Sequence, residues 1–205
     1  YLAREMNFKE DCNNYNTLAN KVKESFNKSF WFEEGHYLYD YINNELKDAA
    51  IRPNQIFAVS LPYPVLLMER WRNVTNVVSK HLLTPYGLRT LSPEDKNYIG
   101  CYCGNVYERD TAYHQGTVWA WLIGPYISAY VRAYAGNENT IEYVIGLLEP
   151  FYAHLFESGL GTISEIFDGD APHKPRGCIS QAWSVAEILR VYFEYIYGFE
   201  GNDIR

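Results

Sequence analysis

The segment from Thr117 to Gly159 reads TVWAWLIGPYISAYVRAYAGNENTIEYVIGLLEPFYAHLFESG, and it decides the fold class. Apolar residues recur at helical spacing from Thr117 to about Ala135 and again from about Glu138 to Glu157. Gly136-Asn137 separates the two runs and supplies a stop signal, because both residues tolerate the left-handed conformation that ends helices. The segment therefore predicts two helices joined by a tight turn.

The same helical spacing recurs on both sides of this hairpin. It predicts a helix ending near Phe30, a short helix from Pro53 to Ser60, and a helix that Pro62 or Pro64 opens and that runs to Leu82. A last helix is predicted from about Ile179 to Tyr197, with Gly198 as its stop signal. The chain is therefore expected to be mainly helical.

Three connections separate these helices. The aromatic stretch from Trp31 to Tyr41 is expected to be a loop or short strands, and the stretch from Tyr86 to Gln115 is expected to be a long loop. A further ordered loop is expected from Gly159 to Cys178. Alternating short and long connections predict an all-α domain over residues 1–205, in which stacked helical hairpins gather the long loops, and hence a site, at one end.

Composition excludes several classes of partner. The chain has 205 residues and a net charge of −7, and no run of Lys or Arg exceeds two residues. Nucleic acid and anionic membranes are therefore not expected as partners. Tyrosine is the most numerous aromatic residue, with 19 copies, and it is favoured where one end of a side chain packs and the other is wet.

The cysteines and the hydropathy pattern suggest a location. The four cysteines, Cys12, Cys101, Cys103 and Cys178, match no metal or disulfide spacing, so buried thiols in a reduced cytoplasmic setting are expected. No window reaches the ~18 apolar residues of a membrane span, and the first residues are too polar for a signal peptide. No cofactor is expected.

Glu165 is the first candidate for chemistry. It lies in the segment Gly161 to Gly169, between apolar neighbours and three residues before Asp168. A carboxylate in such surroundings is suited to act as a base or an acid, although a solvent-exposed turn glutamate is the alternative reading. The stretch from Asp168 to His173 does not have the repeating ligands of a calcium loop, so no metal is expected.

Several polar and aromatic residues could form a site for a hydroxyl-rich ligand. His114 and Gln115 precede the helix predicted from Thr117, and an imidazole and an amide can bind neutral hydroxyl groups. Trp119 and Trp121 are two residues apart, so on a helix they would face apart, and we assign Trp119 to the site. Other candidates lie in the loops or at the start of the last helix: Arg52, Arg89, Asp95, Tyr98, Gln181 and Trp183.

At these residues the chain resembles the C-terminal amylo-alpha-1,6-glucosidase domain of glycogen debranching enzymes, which are glucoamylase-like glycoside hydrolases. The similar segments follow the order of the family over roughly residues 30 to 197. They are Ile51–Gln55, Leu83–Leu91, Tyr113–Trp121, Gly161–Gly169, Pro172-His173, Gly177-Cys178 and Gln181–Glu187.

This resemblance implies an (α/α)6 toroid and an inverting reaction on alpha-1,6-linked glucose of glycogen or branched maltodextrin. It implies that Glu165 is the general base and that His114, Gln115, Trp119 and Trp183 line the glucose pocket, and we assign Arg52 and Gln181 to the same pocket. The family's acid precedes the segment matching Arg52, and its motif is absent here.

With about six predicted helices, the chain is expected to be the C-terminal half of a toroid. It would then associate with itself or with the missing half. A glucan-binding module without turnover, or a trehalase-like or mannosidase-like hydrolase, are the alternatives.

Overall fold

Helices account for most of the computed structural model, which describes residues 2–197. Gly198, predicted to stop the last helix, lies outside the described residues. The α-helices are α1 (Leu2–Glu5), α2 (Lys9–Ser29), α3 (Phe57–Ser60), α4 (Trp71–Leu82), α5 (Val106–Ala112), α6 (Ile123–Ala133), α7 (Thr140–His154) and α8 (Ala182–Val191). Short 3-10 helices lie at Pro53–Ile56, Met68–Arg70 and Ala120–Leu122, and a π-helix follows α8 at Tyr192–Tyr197.

Short strands accompany the helices, so the prediction of an all-α fold is correct only in its helical part. The strands are β1 (Trp31–Phe32), β2 (Tyr37–Leu38), β3 (Ile42–Asn43), β4 (Leu46–Lys47), β5 (Leu83–Thr84), β6 (Gly87–Arg89), β7 (Val118–Trp119), β8 (Ile166–Phe167) and β9 (Pro175–Arg176). The first four form two hairpins, and the last five form one sheet in the order β5-β6-β7-β8-β9. Strands of two or three residues are too short to show an alternating pattern in the sequence.

The five-stranded sheet joins segments that are far apart in the chain. All four pairings are antiparallel, and their register sets Leu88 opposite Trp119, Trp119 opposite Ile166, and Ile166 opposite Arg176. Leu88, Ile166 and Phe167 are fully buried. The sheet thereby anchors the loops that carry the candidate site residues.

The predicted helical hairpin is present as α6 and α7, but its first helix begins later than expected. Val118 and Trp119 are extended, because they pair with β6 on one side and β8 on the other. Likewise α4 begins at Trp71 instead of Pro62 or Pro64, since Leu67 has an extended backbone with ψ 140. In both cases the residues before the helix are ordered by tertiary contacts.

One helix, α5, was not predicted and lies inside the expected long loop from Tyr86 to Gln115. Its first turn forms a capping box: the side chain of Asn105 accepts from the backbone N–H of Glu108, and Glu108 accepts from the backbone N–H of Asn105. This reciprocal arrangement satisfies two free N–H groups at the helix start. An Asn three residues before a Glu was the available signal in the sequence.

Helix α6 lies at the centre of the core. It packs against α3, α4, α7 and α8, and eight of its 11 residues are buried. Tyr126 is fully buried, and its hydroxyl is 3.1 Å from the hydroxyl of Tyr143 on α7. The first helix of the predicted hairpin is therefore the central element on which α3, α4 and α8 pack.

Helix α2 is amphipathic, as predicted, but most of its apolar stripe is exposed. Tyr15, Leu18 and Val22 are more than half exposed, and Asn27 is the one buried residue of the helix. Within residues 2–197, no segment covers this stripe. The described helices include none that combines the length and the apolar character needed to cross a membrane.

The expectation of four buried thiols is wrong. Cys101 and Cys103 are joined as a disulfide, while Cys12 is partly exposed and Cys178 is exposed. The Cα atoms of the two paired cysteines are 5.5 Å apart, within the range that a disulfide can bridge.

Candidate functional site

Glu165 lies directly before β8, and both oxygens of its carboxylate are held. The Tyr113 hydroxyl donates to Oε1 at 2.5 Å, and the backbone N–H of Cys178 donates to Oε2 at 2.9 Å. The backbone N–H of Glu165 in turn donates to the carbonyl of Cys178 at 2.9 Å. A carboxylate has about four acceptor positions. Two hydrogen bonds therefore fix its orientation and leave acceptor capacity on each oxygen.

Gly177 makes this arrangement possible. Its backbone has φ +65, in the left-handed region, and a Cβ there would lie 2.5 Å from Oε2 of Glu165. Any side chain would therefore meet both backbone strain and a collision with the carboxylate. The glycine lets the backbone before Cys178 approach Glu165 closely enough to donate its N–H.

Tyr113 connects Glu165 to a cluster of aromatic rings. Burial raises the pKa of Tyr113 well above its usual value, and the hydrogen bond to Glu165 raises it further. The hydroxyl therefore stays protonated and acts as a donor at neutral pH. The Tyr113 ring packs edge-on against His114 and Trp119, with centroids 4.9 and 4.8 Å away. Sequence analysis gave Tyr113 no role of its own.

Trp119 and Trp121 were expected to face apart, and this expectation is wrong. Trp121 stacks on Trp183 at 5.0 Å between ring centroids, and Trp119 meets the same ring edge-on at 5.6 Å. The reason is that Trp119 is in strand β7, with φ −108 and ψ 118, and that Trp121 is in a 3-10 helix. The rule for residues two apart on an α-helix does not apply to them.

Two tryptophans of this cluster, Trp119 and Trp183, differ in exposure. Trp119 is only 6% exposed, since it also stacks on His114 at 5.5 Å and donates its Nε1–H to the carbonyl of Tyr113. Trp183 is 44% exposed. Of these two rings, that of Trp183 is therefore the one accessible to a ligand, and the buried ring of Trp119 packs edge-on against it.

The guanidinium of Arg52 donates hydrogen bonds to three polar groups of the candidate site. Its Nη1 donates to the carbonyl of His114 at 2.7 Å and to that of Thr90 at 3.0 Å, and its Nη2 donates to Oε1 of Gln115 at 2.7 Å. These groups line an open pocket of about 420 Å³. The pocket also contains Asp40, whose carboxylate is 3.7 Å from Nε of Arg52 and which sequence analysis missed.

His114 is neutral in this setting. Burial lowers its pKa below the usual 6.5, and the positive charge of Arg52 lowers it further. Because the pKa is depressed in the folded state, the stability that depends on His114 is present above pH 6.5 and is lost as pH falls through the folded pKa. At neutral pH the ring can both donate to and accept from a hydroxyl group.

We expect an NMR titration to give His114 a midpoint below 6.5. Arg52→Gln should move this midpoint only part of the way back, because the larger cause, burial, remains. Arg4→Gln, at an exposed position on α1, is the matched control and should leave the midpoint where it is. A midpoint at or above 6.5 in the unmodified protein would contradict the prediction.

Asp168 was expected to act as a second carboxylate near Glu165, and it is engaged elsewhere. It is 6% exposed, and Nη2 of Arg176 lies 3.0 Å from its Oδ2. Its Oδ1 accepts from the backbone N–H of Tyr102 at 2.8 Å. This carboxylate ties the loop before α5 to strand β9.

Gln181 lies at the N-terminus of α8, as predicted, and its side chain caps this helix. Its Oε1 accepts from the backbone N–H of Ala182 at 3.0 Å. Arg89 and Tyr98 bind the loop that follows β8: Arg89 donates to the carbonyl of Gly169, and Tyr98 donates to Asp170.

Within residues 2–197, no three His, Cys, Asp or Glu side chains form a group that could hold a metal ion.

Comparisons with known proteins agree on one family. The model of the family described as amylo-alpha-1,6-glucosidase matches residues 2–190. The chain is similar to the glycogen debranching enzyme of Saccharomyces cerevisiae, with 26% identity over 178 residues. The aligned region covers 76% of this chain, and the chain spans about 11% of the length of that relative.

Proposed function

The chain belongs to the amylo-alpha-1,6-glucosidase family, and from this premise we propose that it contributes the general base, Glu165, to an inverting glycoside hydrolase. The proposed reaction releases alpha-1,6-linked glucose from branch points of glycogen or a related alpha-glucan. The observation that carries the proposal is the carboxylate of Glu165, which Tyr113 and Cys178 hold in one orientation while leaving acceptor positions open.

In this reaction, Glu165 takes a proton from a water molecule as the water oxygen attacks the anomeric carbon. The bond between that carbon and the glycosidic oxygen breaks, and a carboxylic acid on the opposite side protonates the departing oxygen. An inverting enzyme keeps its two carboxyl groups roughly 6.5–9.5 Å apart to leave room for the water. The anomeric configuration is therefore inverted in the product.

The surroundings of Glu165 suit a base. Among the ion pairs formed within residues 2–197, none includes Glu165. A carboxylate bound to an Arg or Lys would have a competing partner at the oxygen that must accept the proton. Here both partners are neutral donors, a tyrosine hydroxyl and a backbone amide.

The neighbouring pocket suits a neutral sugar. Its polar groups include the imidazole of His114, the amide of Gln115 and the guanidinium of Arg52, together with the carboxylates of Asp40 and Asp48. The half-exposed ring of Trp183 contacts Trp119, the ring that stacks on His114. Pyranose rings present hydroxyl groups at their edge and C–H groups on their faces. We propose that the first three residues bind the hydroxyl groups and that Trp183 packs against a face.

The proposed acid is not Asp168, because that carboxylate is buried against Arg176. We propose that the acid comes from polypeptide outside residues 2–197, and that the helical hairpins described above form the C-terminal part of an (α/α)6 toroid. Association with the polypeptide that completes the toroid would then also complete the acid and base pair.

The test is glucose release by the polypeptide as its gene encodes it, with an alpha-glucan that carries single alpha-1,6-linked glucose units. Proton NMR during the first turnovers should detect beta-glucose before mutarotation, since inversion converts an alpha linkage into a beta product. Release of alpha-glucose, or intact substrate with a folded protein, would contradict the proposed reaction.

A second function, glucan binding without turnover, is favoured by one observation: Asp168, the carboxylate nearest to Glu165 in the sequence, is committed to Arg176. Calorimetry with malto-oligosaccharides measures binding, and the release assay with the branched alpha-glucan described above measures turnover; together they distinguish the two. Binding in the absence of any glucose release would favour the module, and binding together with release would favour the hydrolase.

A further inference from the structure

A second pocket, distinct from the one lined by Arg52, His114 and Gln115, lies beside Trp121. It has a volume of about 420 Å³, and the residues that matter here are Phe57, Trp121, Arg132, Glu187, Arg190 and Glu194. These residues come from α3, from the segment leading into α6, and from α6, α8 and the π-helix. We propose that this pocket is an additional subsite for a short linear alpha-glucan segment. This inference rests on the function proposed above.

One wall of the pocket is aromatic. The Trp121 ring stacks on Phe57 at 5.8 Å with an interplanar angle of 29°, and its other neighbour is Trp183 at 5.0 Å and 19°. The three rings form a row of nearly parallel planes. Large aromatic side chains combined with a few placed polar groups are typical of pockets that bind small ligands.

The other wall is polar and fixed in position. Arg190 holds both carboxylate oxygens of Glu187, with a shortest contact of 2.7 Å from Nη2 to Oε2. Its Nη1 also donates to Glu194 at 2.6 Å and to the hydroxyl of Ser128 at 3.1 Å. Glu187 packs so closely on Gly124 that a Cβ there would collide with the carboxylate. The wall is therefore ordered before any ligand arrives.

The charges of the pocket select the class of ligand. Two arginines, Arg132 and Arg190, face two glutamates, Glu187 and Glu194, so the four formal charges cancel. Arg132 is itself engaged by the carbonyl groups of Val59 and Leu61. A phosphate would meet the carboxylates, and a cation would meet the guanidinium groups. The hydroxyl groups of a neutral polyol can donate to the carboxylates and accept from the guanidinium groups.

The aromatic residues connect this pocket to the candidate active site. His114 stacks on Trp119, Trp119 contacts Trp183, and Trp183 stacks on Trp121. Because Trp119 is only 6% exposed, the ring that a glucan would cross between His114 and the second pocket is the half-exposed ring of Trp183. The subsite accordingly predicts that longer linear malto-oligosaccharides bind more tightly than short ones.

The experiment measures dissociation constants for linear malto-oligosaccharides of increasing length by calorimetry. Glu187→Gln keeps the shape of the side chain but breaks its charge-assisted pairing with Arg190. We expect it to weaken binding of the longer ligands by about 10-fold, equivalent to about 1.4 kcal/mol. Glu149→Gln, an exposed glutamate on α7, is the matched control and should leave every constant unchanged.

Equal dependence on ligand length in Glu187→Gln and in the unmodified protein would overturn the subsite. Should Glu187→Gln not fold, the unmodified protein provides the measurement. Its Trp121 indole N–H resonance should shift as the longer ligands bind, and a resonance that stays fixed at saturation would overturn the proposal. Linear ligands need no turnover, so a failure of Glu165 as a base would be seen separately, in glucose release.

Discussion

Glu165→Gln is expected to lower the rate of glucose release ~10²–10⁴-fold, the usual contribution of a positioned general base. Glutamine has nearly the same shape, and its amide oxygen can still accept one of the two hydrogen bonds that hold Glu165. The amide cannot take a proton from water. The effect should therefore fall on kcat, while KM changes little, because the base acts on water and not on substrate binding.

Two further measurements make this result specific. Glu149→Gln removes an exposed carboxylate of α7 and should leave the rate unchanged. In Glu165→Ala, added azide should restore product formation as a glycosyl azide of inverted configuration, since azide needs no deprotonation to attack. A rate within a few-fold of the unmodified protein in Glu165→Gln, or azide rescue with retention, would remove Glu165 from the role of base.

Phe167→Ala is expected to destabilise the protein by ~3–5 kcal/mol, as for other large buried aromatic residues. Phe167 is fully buried in β8, where it stacks on Tyr86 at 4.5 Å and meets the ring of His154 edge-on at 4.9 Å. Its removal leaves a cavity where the sheet meets α7. The free energy of unfolding, from urea denaturation, measures the loss.

The chain offers a matched control in Phe156→Ala. Phe156 is 81% exposed, so its removal should change the free energy of unfolding by no more than about 0.5 kcal/mol. Phe167→Leu should fall between the two, because it keeps part of the buried volume. Similar losses in Phe167→Ala and Phe156→Ala would show that β8 is not packed as described.

Much of the helical framework and the family could be read from the sequence. The hairpin of α6 and α7 follows from apolar spacing and the Gly136-Asn137 stop signal, both of which are local, and it is confirmed. Helix α2 and the short helix after Pro53 are also confirmed. The family, identified from motifs spread along the chain, is confirmed by the match over residues 2–190.

The individual positions in the candidate site were harder to predict. The sequence identified Glu165, His114, Gln115 and Arg52 as candidates, and the structure brings Arg52, His114 and Gln115 together in one pocket. It did not indicate that Tyr113 holds Glu165, because those residues are 52 positions apart and meet through a side-chain hydrogen bond. The roles of all these residues in catalysis and binding stay predictions.

What the sequence determined by itself is the set of longer helices, without α5 and without the exact starts of α4 and α6, since these helices are encoded by spacing and end signals within their own segments. The tertiary structure alone decided the five-stranded sheet, the position of Trp119 in a strand, and the pairing of Asp168 with Arg176. Two-residue strands have almost no local signal, and they exist because distant segments pair and bury their side chains together. Glu165 owes its position directly before β8 to that pairing.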